Sequence, residues 1–206
     1  MKKFFTAIPL QKPGQLQRQV YRSMGNSRLQ CDTPLAFPIL AAVGGYAEPG
    51  EEIRAIAVVT DNDDAKRNLQ TVREGLDEIC QARRLRCPAG AEAVTVPQDD
   101  RVAVHIGTFQ KLIDLVEDHD ELFACMTFGG KPLSQAMLLA VQYAYRVKIN
   151  TRISCIVYGQ IDRSQEEPQA SIYDMTALVQ LDEIVHLLAR RGVQDPRAAI
   201  DMLMSL

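Results

Sequence analysis

The sequence predicts an α/β fold: a mostly parallel sheet of about six strands, helices on both faces, and a C-terminal antiparallel hairpin. Three observations carry this. Apolar runs of strand length alternate with stretches of helical periodicity. Runs such as FFTAI (4–8), IRAIAVVT (53–60) and ELFACMTF (121–128) are largely apolar on both sides of the pleat, as strands covered on both faces must be. The alternation breaks once, where RISCIVYGQI (152–161) and ASIYDMTAL (170–178) are two strands joined by a polar loop, DRSQEEPQ. That pair adds an antiparallel edge to a Rossmann-like sheet.

Each element follows from its local composition. KKFFTAIPL (2–10) is a strand that ends near Pro9, and the polar stretch from Gln11 to Asp32 is a long loop with a short helix at 15–24. TPLAFPILAAVGGYA reads as a helix opened by Thr33 as N-cap and Pro34 at its first position, and broken by Gly44 and Gly45. After the strand at 53–60, Leu69, Val72, Leu76, Ile79 and Cys80 recur at helical spacing behind an acidic start. AEAVTVP (91–97) is a strand, 102–119 a helix, ELFACMTF a strand and 131–147 a helix. Beyond the hairpin, helices at 180–191 and 195–205 end the chain. No repeat or linker divides it, so one main domain is expected over 1–192, with a short C-terminal helix in 193–206.

Bulk composition excludes several classes of function. The chain has 206 residues, 47% hydrophobic and 24% charged, with a formal charge of −3. A surface of that balance is not built to track long nucleic acid, so an anionic partner must be small and held locally. No apolar run is long enough to span a membrane and the N-terminus is no signal peptide, so a cytoplasmic protein without membrane contact is expected. The five cysteines are odd in number and contain no C-x-x-C pair. They read as free, mostly buried thiols, with no metal site.

In an open α/β sheet, ligands settle beyond the carboxyl ends of the strands, where loops enter helices. Three turns therefore matter: Pro9 to Gly14, Thr60 to Asp64, and Thr127 to Ser134. The last is the most informative. Gly129 and Gly130 allow close backbone approach, Pro132 suits a first helical turn, and the free N–H groups there, with Lys131 and Ser134 alongside, suit a phosphate. Neither G-x-G-x-x-G nor G-x-x-x-x-G-K-[ST] is present, so no motif calls for a dinucleotide or nucleoside triphosphate, and no cofactor is expected. Asp61, Asn62, Asp63 and Asp64 read as helix-capping residues rather than metal ligands. His105, His119 and His186 lie apart on helices and read as structural.

At this point the chain resembles the CRISPR-associated Rossmann-fold (CARF) domains, sensors of cyclic oligoadenylate in type III CRISPR antiviral defence. The resemblance runs from FFTAIPL to DEIVHLL. It rests on the order of elements with the late SCIVYGQIDRSQEEPQASIYDMTAL hairpin, on the long first loop, and on TFGGKPLSQAM, similar to the family's turn after strand four. One departure is that Lys131 follows the second glycine directly, where many members place a residue between. The resemblance implies a two-fold homodimer with the ring across its axis. Thr127, Phe128, Gly129, Gly130, Lys131 and Ser134 would form the turn on the ribose-phosphate ring, Thr60, Asp61 and Asn62 would face an adenine edge, and Pro9, Leu10, Gln11 and Lys12 would line the wall.

Many relatives fuse this sensor to a ribonuclease marked by arginine, four to six residues, then histidine. None of the three histidines has an arginine at that distance, so that ribonuclease is not expected here. Three functions stay open. The first is a nucleotide-binding sensor of cyclic tetra- or hexa-adenylate, either alone or as part of a longer effector. The second is a metal-independent ring nuclease, in which Lys131 would stabilise charge and Ser134 or Thr127 would position the ring. The third is a generic α/β domain that acts as a mononucleotide binder or an interaction scaffold.

Overall fold

The computed structural model describes residues 1–12, 14–164 and 168–204, the last by its backbone alone. Pro13, 165–167 and 205–206 lie outside the described residues, and with them the end of the helix expected at 195–205. The chain runs β1 (Lys2–Ala7), β2 (Tyr21–Met24), a 3-10 turn (Ser27–Leu29), α1 (Ile39–Tyr46), β3 (Ile53–Thr60), α2 (Asp63–Arg83) and β4 (Ala91–Val96). It continues through α3 (Val102–Ile113), β5 (Glu121–Cys125), α4 (Lys131–Val147), β6 (Arg152–Asp162), β7 (Gln169–Asp174), α5 (Thr176–Arg190) and α6 (Pro196–Met204). Among the described residues, no helix is long and apolar enough to cross a membrane.

Among the described residues, seven strands form one sheet in the order β2-β7-β6-β5-β1-β3-β4. The five from β6 to β4 are parallel, and β7 runs antiparallel to β6. From β1 the chain winds outward to β3 and β4, crosses back through α3 to β5 on the other side of β1, and goes on to β6. The order therefore reverses between β1 and β5, and the loops leaving these two strands diverge around a crevice.

Adjacent residues of a strand face opposite ways, and here both faces are covered. Phe4 joins the core under α1 and α2, stacking on Phe123 with ring centroids 4.4 Å apart. Phe5 joins the core under α3 and α4 with Leu122, Met137 and Val141. Each phenylalanine is 1% exposed, a burial contributing about 1.5–3 kcal/mol per side chain. Cys125 and Cys155 are buried and the other three cysteines half-buried, all as free thiols.

Several expectations are corrected. The helix at 15–24 is absent: Tyr21–Met24 is instead a strand paired parallel with β7, so the hairpin does not form the sheet edge. Tyr21 alone of these four is buried, which holds the strand against the core but leaves no alternating pattern to read. Helix α1 starts after Pro38 rather than at Pro34, and Gly44 and Gly45 lie inside it. Gly45 is needed there because the Arg28 carbonyl sits where its Cβ would be. Helix α3 stops at Ile113, short of 119. Strand β5 ends at Cys125 and β7 at Asp174. Helix α5 begins at Thr176 because the Asp174 carboxylate accepts the Thr176 N–H at 3.0 Å, closing a turn.

Candidate functional site

The crevice is built from three βα turns. After β1, the Ile8 N–H still bonds the Val58 carbonyl at 2.9 Å, and the chain then passes over α2. The buried Asn68 amide donates to the carbonyls of Pro9 and Gln11, both at 2.9 Å, fixing that loop. Pro9 is buried while Leu10 and Lys12 face solvent.

After β3, Asn62 caps α2, its Oδ1 accepting from the Asp64 N–H at 2.8 Å, while its Nδ2 reaches Gln98 at 3.1 Å. Asp61 pairs with Lys66 at 2.7 Å and Asp64 with Arg67 at 2.6 Å. The capping expected of this stretch is made by Asn62, whose side chain is committed to the turn, while Asp61 and Asp64 form ion pairs at the surface rather than caps. Thr60 lies open to the crevice.

After β5 comes the glycine turn. Gly129 has φ +93°, the left-handed region, and a Cβ there would fall 2.9 Å from Ala7 Cβ. Gly130 is the N-cap of α4 with φ −64° and ordinary space around it. The Thr127 hydroxyl accepts the Gly159 N–H at 2.7 Å, tying the turn to β6, and the Ser134 hydroxyl donates to the Phe128 carbonyl at 3.3 Å. Phe128 packs edge-on against Phe37. Lys131 is exposed, and neither it nor Lys12 has a carboxylate partner among the described residues.

These pieces surround a cavity of about 400 Å³, within the usual range for small-ligand sites. Leu10, Thr60, Gly130 and Leu133 line it, with Val96, Asp99, Asp100 and His105 from the turn after β4 and the start of α3. Arg101 holds the Asp99 carboxyl below the usual carboxylate range by donating to it at 2.7 Å, so it is anionic at neutral pH. Gln11 and Phe128 line a separate, much smaller cavity of about 40 Å³.

The structure thus brings Leu10, Thr60 and Gly130 together, leaves Lys131 and Lys12 exposed on nearby turns, and turns Asn62, Thr127 and Phe128 to structural work. It also adds what the sequence reading missed. His105 lines the cavity, and neither of its ring nitrogens reaches solvent or finds a hydrogen-bond partner among the described residues. The available signal was position: His105 stands in the first turn of the helix that follows β4, a fourth carboxyl-end turn.

Beside the cavity, α3 and α4 leave an apolar groove of about 630 Å³ lined by Val102, Ile106, Phe109, Leu139, Tyr143 and Val147. His105 lies on the walls of both. Val102 is 72% and Leu139 48% exposed. No protein-family model matches the chain, and no curated protein matches it.

Proposed function

We propose that the crevice binds a cyclic oligoadenylate and that the chain works as a symmetric dimer around it, as a sensor in type III CRISPR defence. The observation that carries this reading is the Gly129–Gly130–Lys131 turn at the point where strand order reverses. There an exposed lysine without a carboxylate partner among the described residues stands at the positive end of a 17-residue helix. Exposed cations near a mixed apolar and polar cavity suit a ligand with phosphate on one side and bases on the other. The groove between α3 and α4 supports the dimer: it is an exposed apolar surface of the kind that a second copy covers, and it shares His105 with the cavity.

Binding is favoured over ring cleavage. The two positioning groups a metal-independent ring nuclease would use, Thr127 and Ser134, are hydrogen-bonded to Gly159 and Phe128. Titration with cyclic tetra- and hexa-adenylate, followed by separation of the recovered ligand, tests both readings: intact recovery supports a sensor and linear products a nuclease.

A charge-assisted phosphate contact is worth about 1.5–3 kcal/mol. Lys131→Ala is therefore expected to weaken binding about ten- to a hundredfold with little change in melting temperature. Affinity equal to wild type at low salt, where screening is least, would remove the turn from the site. For the dimer, sedimentation of wild type is expected to give twice the monomer mass, and Ile106→Asp with Leu139→Asp is expected to give the monomer.

A further inference from the structure

We propose that His105 is a ligand-contact residue that reads an aminopurine base in the cavity between the turns after β3 and β4. This deepens the cyclic oligoadenylate reading and rests on it for the identity of the whole ligand, though not for the base. A neutral imidazole offers one N–H donor and one acceptor, and native proteins pair nearly all such groups once they leave water. The His105 nitrogens have left water without partners among the described residues. If packing were the only task at this position, an apolar side chain would do it at lower cost.

The surroundings select the ligand class. Asp99 and Asp100 line the same cavity, so a phosphate placed there would meet two carboxylates. Phosphate belongs on the Lys131 side, leaving the cavity for an uncharged group that donates hydrogen bonds. Leu10, Val96 and Leu133 supply apolar walls for a flat ring. An adenine fits that set: its exocyclic amine donates to a carboxylate while a ring nitrogen accepts from the imidazole. Since the nitrogens are shielded, the imidazole must turn about its side-chain torsions to meet the base.

The test compares wild type with His105→Leu, using cyclic tetra-adenylate, cyclic hexa-adenylate and adenosine monophosphate as probes. The expected result is at least tenfold weaker binding by the leucine variant with a melting temperature equal to or above wild type. If wild type binds a ring and the variant matches it within twofold, His105 only packs, and the sensor reading stands alone. If wild type binds the mononucleotide but neither ring, and the variant loses it, the base contact stands and the ring reading falls. If wild type binds none of the three, both fall. Should the variant not fold, nitrogen-labelled histidine spectra of wild type decide: the probe must shift the His105 ring signals and spare those of His119 and His186.

Discussion

Gly129→Val is expected to destabilise the protein by about 2–5 kcal/mol, whereas Gly130→Ala, one residue on, is expected to cost only about 0.5–1 kcal/mol. The two glycines look alike in the sequence and differ in the fold. Gly129 stands at φ +93°, where an L side chain is strained by roughly 1–2 kcal/mol and a β-branched one by more. Its Cβ would also fall 2.9 Å from Ala7 Cβ and 3.3 Å from Leu133 Cδ2, side chains in the core under α3 and α4. Ala7 cannot yield, because its Cβ is fixed to the backbone of β1, whereas the Leu133 methyl need give only a few tenths of an ångström. Gly130 has φ −64°, and its nearest new contact would be Pro132 Cδ at an ordinary 3.8 Å, so it loses only the small preference of an N-cap for glycine over alanine. Urea unfolding of both variants checks the contrast. Equal midpoints would mean that the turn is not built as described. Gly130 keeps a second use, because it lines the cavity, and its alanine variant separates loss of ligand from loss of fold.

The parts of the fold that were legible are those whose signal is local. Strands β1, β3 and β5 announce themselves because a strand covered on both faces has no polar side to interrupt its apolar run. Helix α2 is legible from its apolar spacing and from Asn62, whose capping bond is made two residues away. What was illegible depends on groups distant in the chain. Gly45 reads as a helix breaker, yet it lies within α1 because the carbonyl of Arg28 approaches it. Strand β2 is held by the backbone of β7, about 150 residues later, and by one buried tyrosine, so nothing local separates it from loop. At the site, the position of the glycine turn was legible from the alternation of strands and helices. Which glycine takes the left-handed conformation was not, since Ala7 and Leu133 decide it. Thr127 was read as a ligand group, but its hydroxyl is used by the Gly159 N–H on the neighbouring strand. His105 escaped because a single histidine on a helix carries no partner in its own spacing; only the folded chain sets it in the cavity wall.

Asp120→Ala is expected to destabilise the protein by about 3–5 kcal/mol at neutral pH while leaving the crevice intact. Lys3 is fully buried in β1, and Asp120, 2% exposed, holds its ammonium group at 2.7 Å. The Lys3 ammonium also donates to the Leu115 carbonyl at 2.7 Å, while Asp120 accepts the Glu117 N–H at 2.7 Å and pairs with the Met1 amino group at 3.1 Å. Removing the carboxylate leaves a buried cation with one carbonyl and the exposed Glu117, 3.3 Å away, as its remaining partners. A loss of that size is a large part of the 5–15 kcal/mol that holds a typical domain together. Burial raises the carboxyl's proton affinity, but hydrogen bonds from Lys3, the Glu117 N–H and the N-terminus more than offset it, so the group titrates below its ordinary range. The sign follows from that. An acid with a depressed folded pKa stabilises the fold fully above its unfolded value, about 3.9, and the contribution is lost as pH falls towards the folded value. The gap between wild type and Asp120→Ala should therefore be widest near pH 7, persist at pH 5, and narrow below about pH 4. Urea unfolding at those three pH values measures it, and a gap that stays constant down to pH 3 would mean that the charge of Asp120 contributes nothing. The pair lies at the amino ends of β1 and β5, opposite the glycine turn. A variant that remains folded under stabilising conditions should thus bind cyclic oligoadenylate with wild-type affinity, which separates support of the sheet from recognition at its other end.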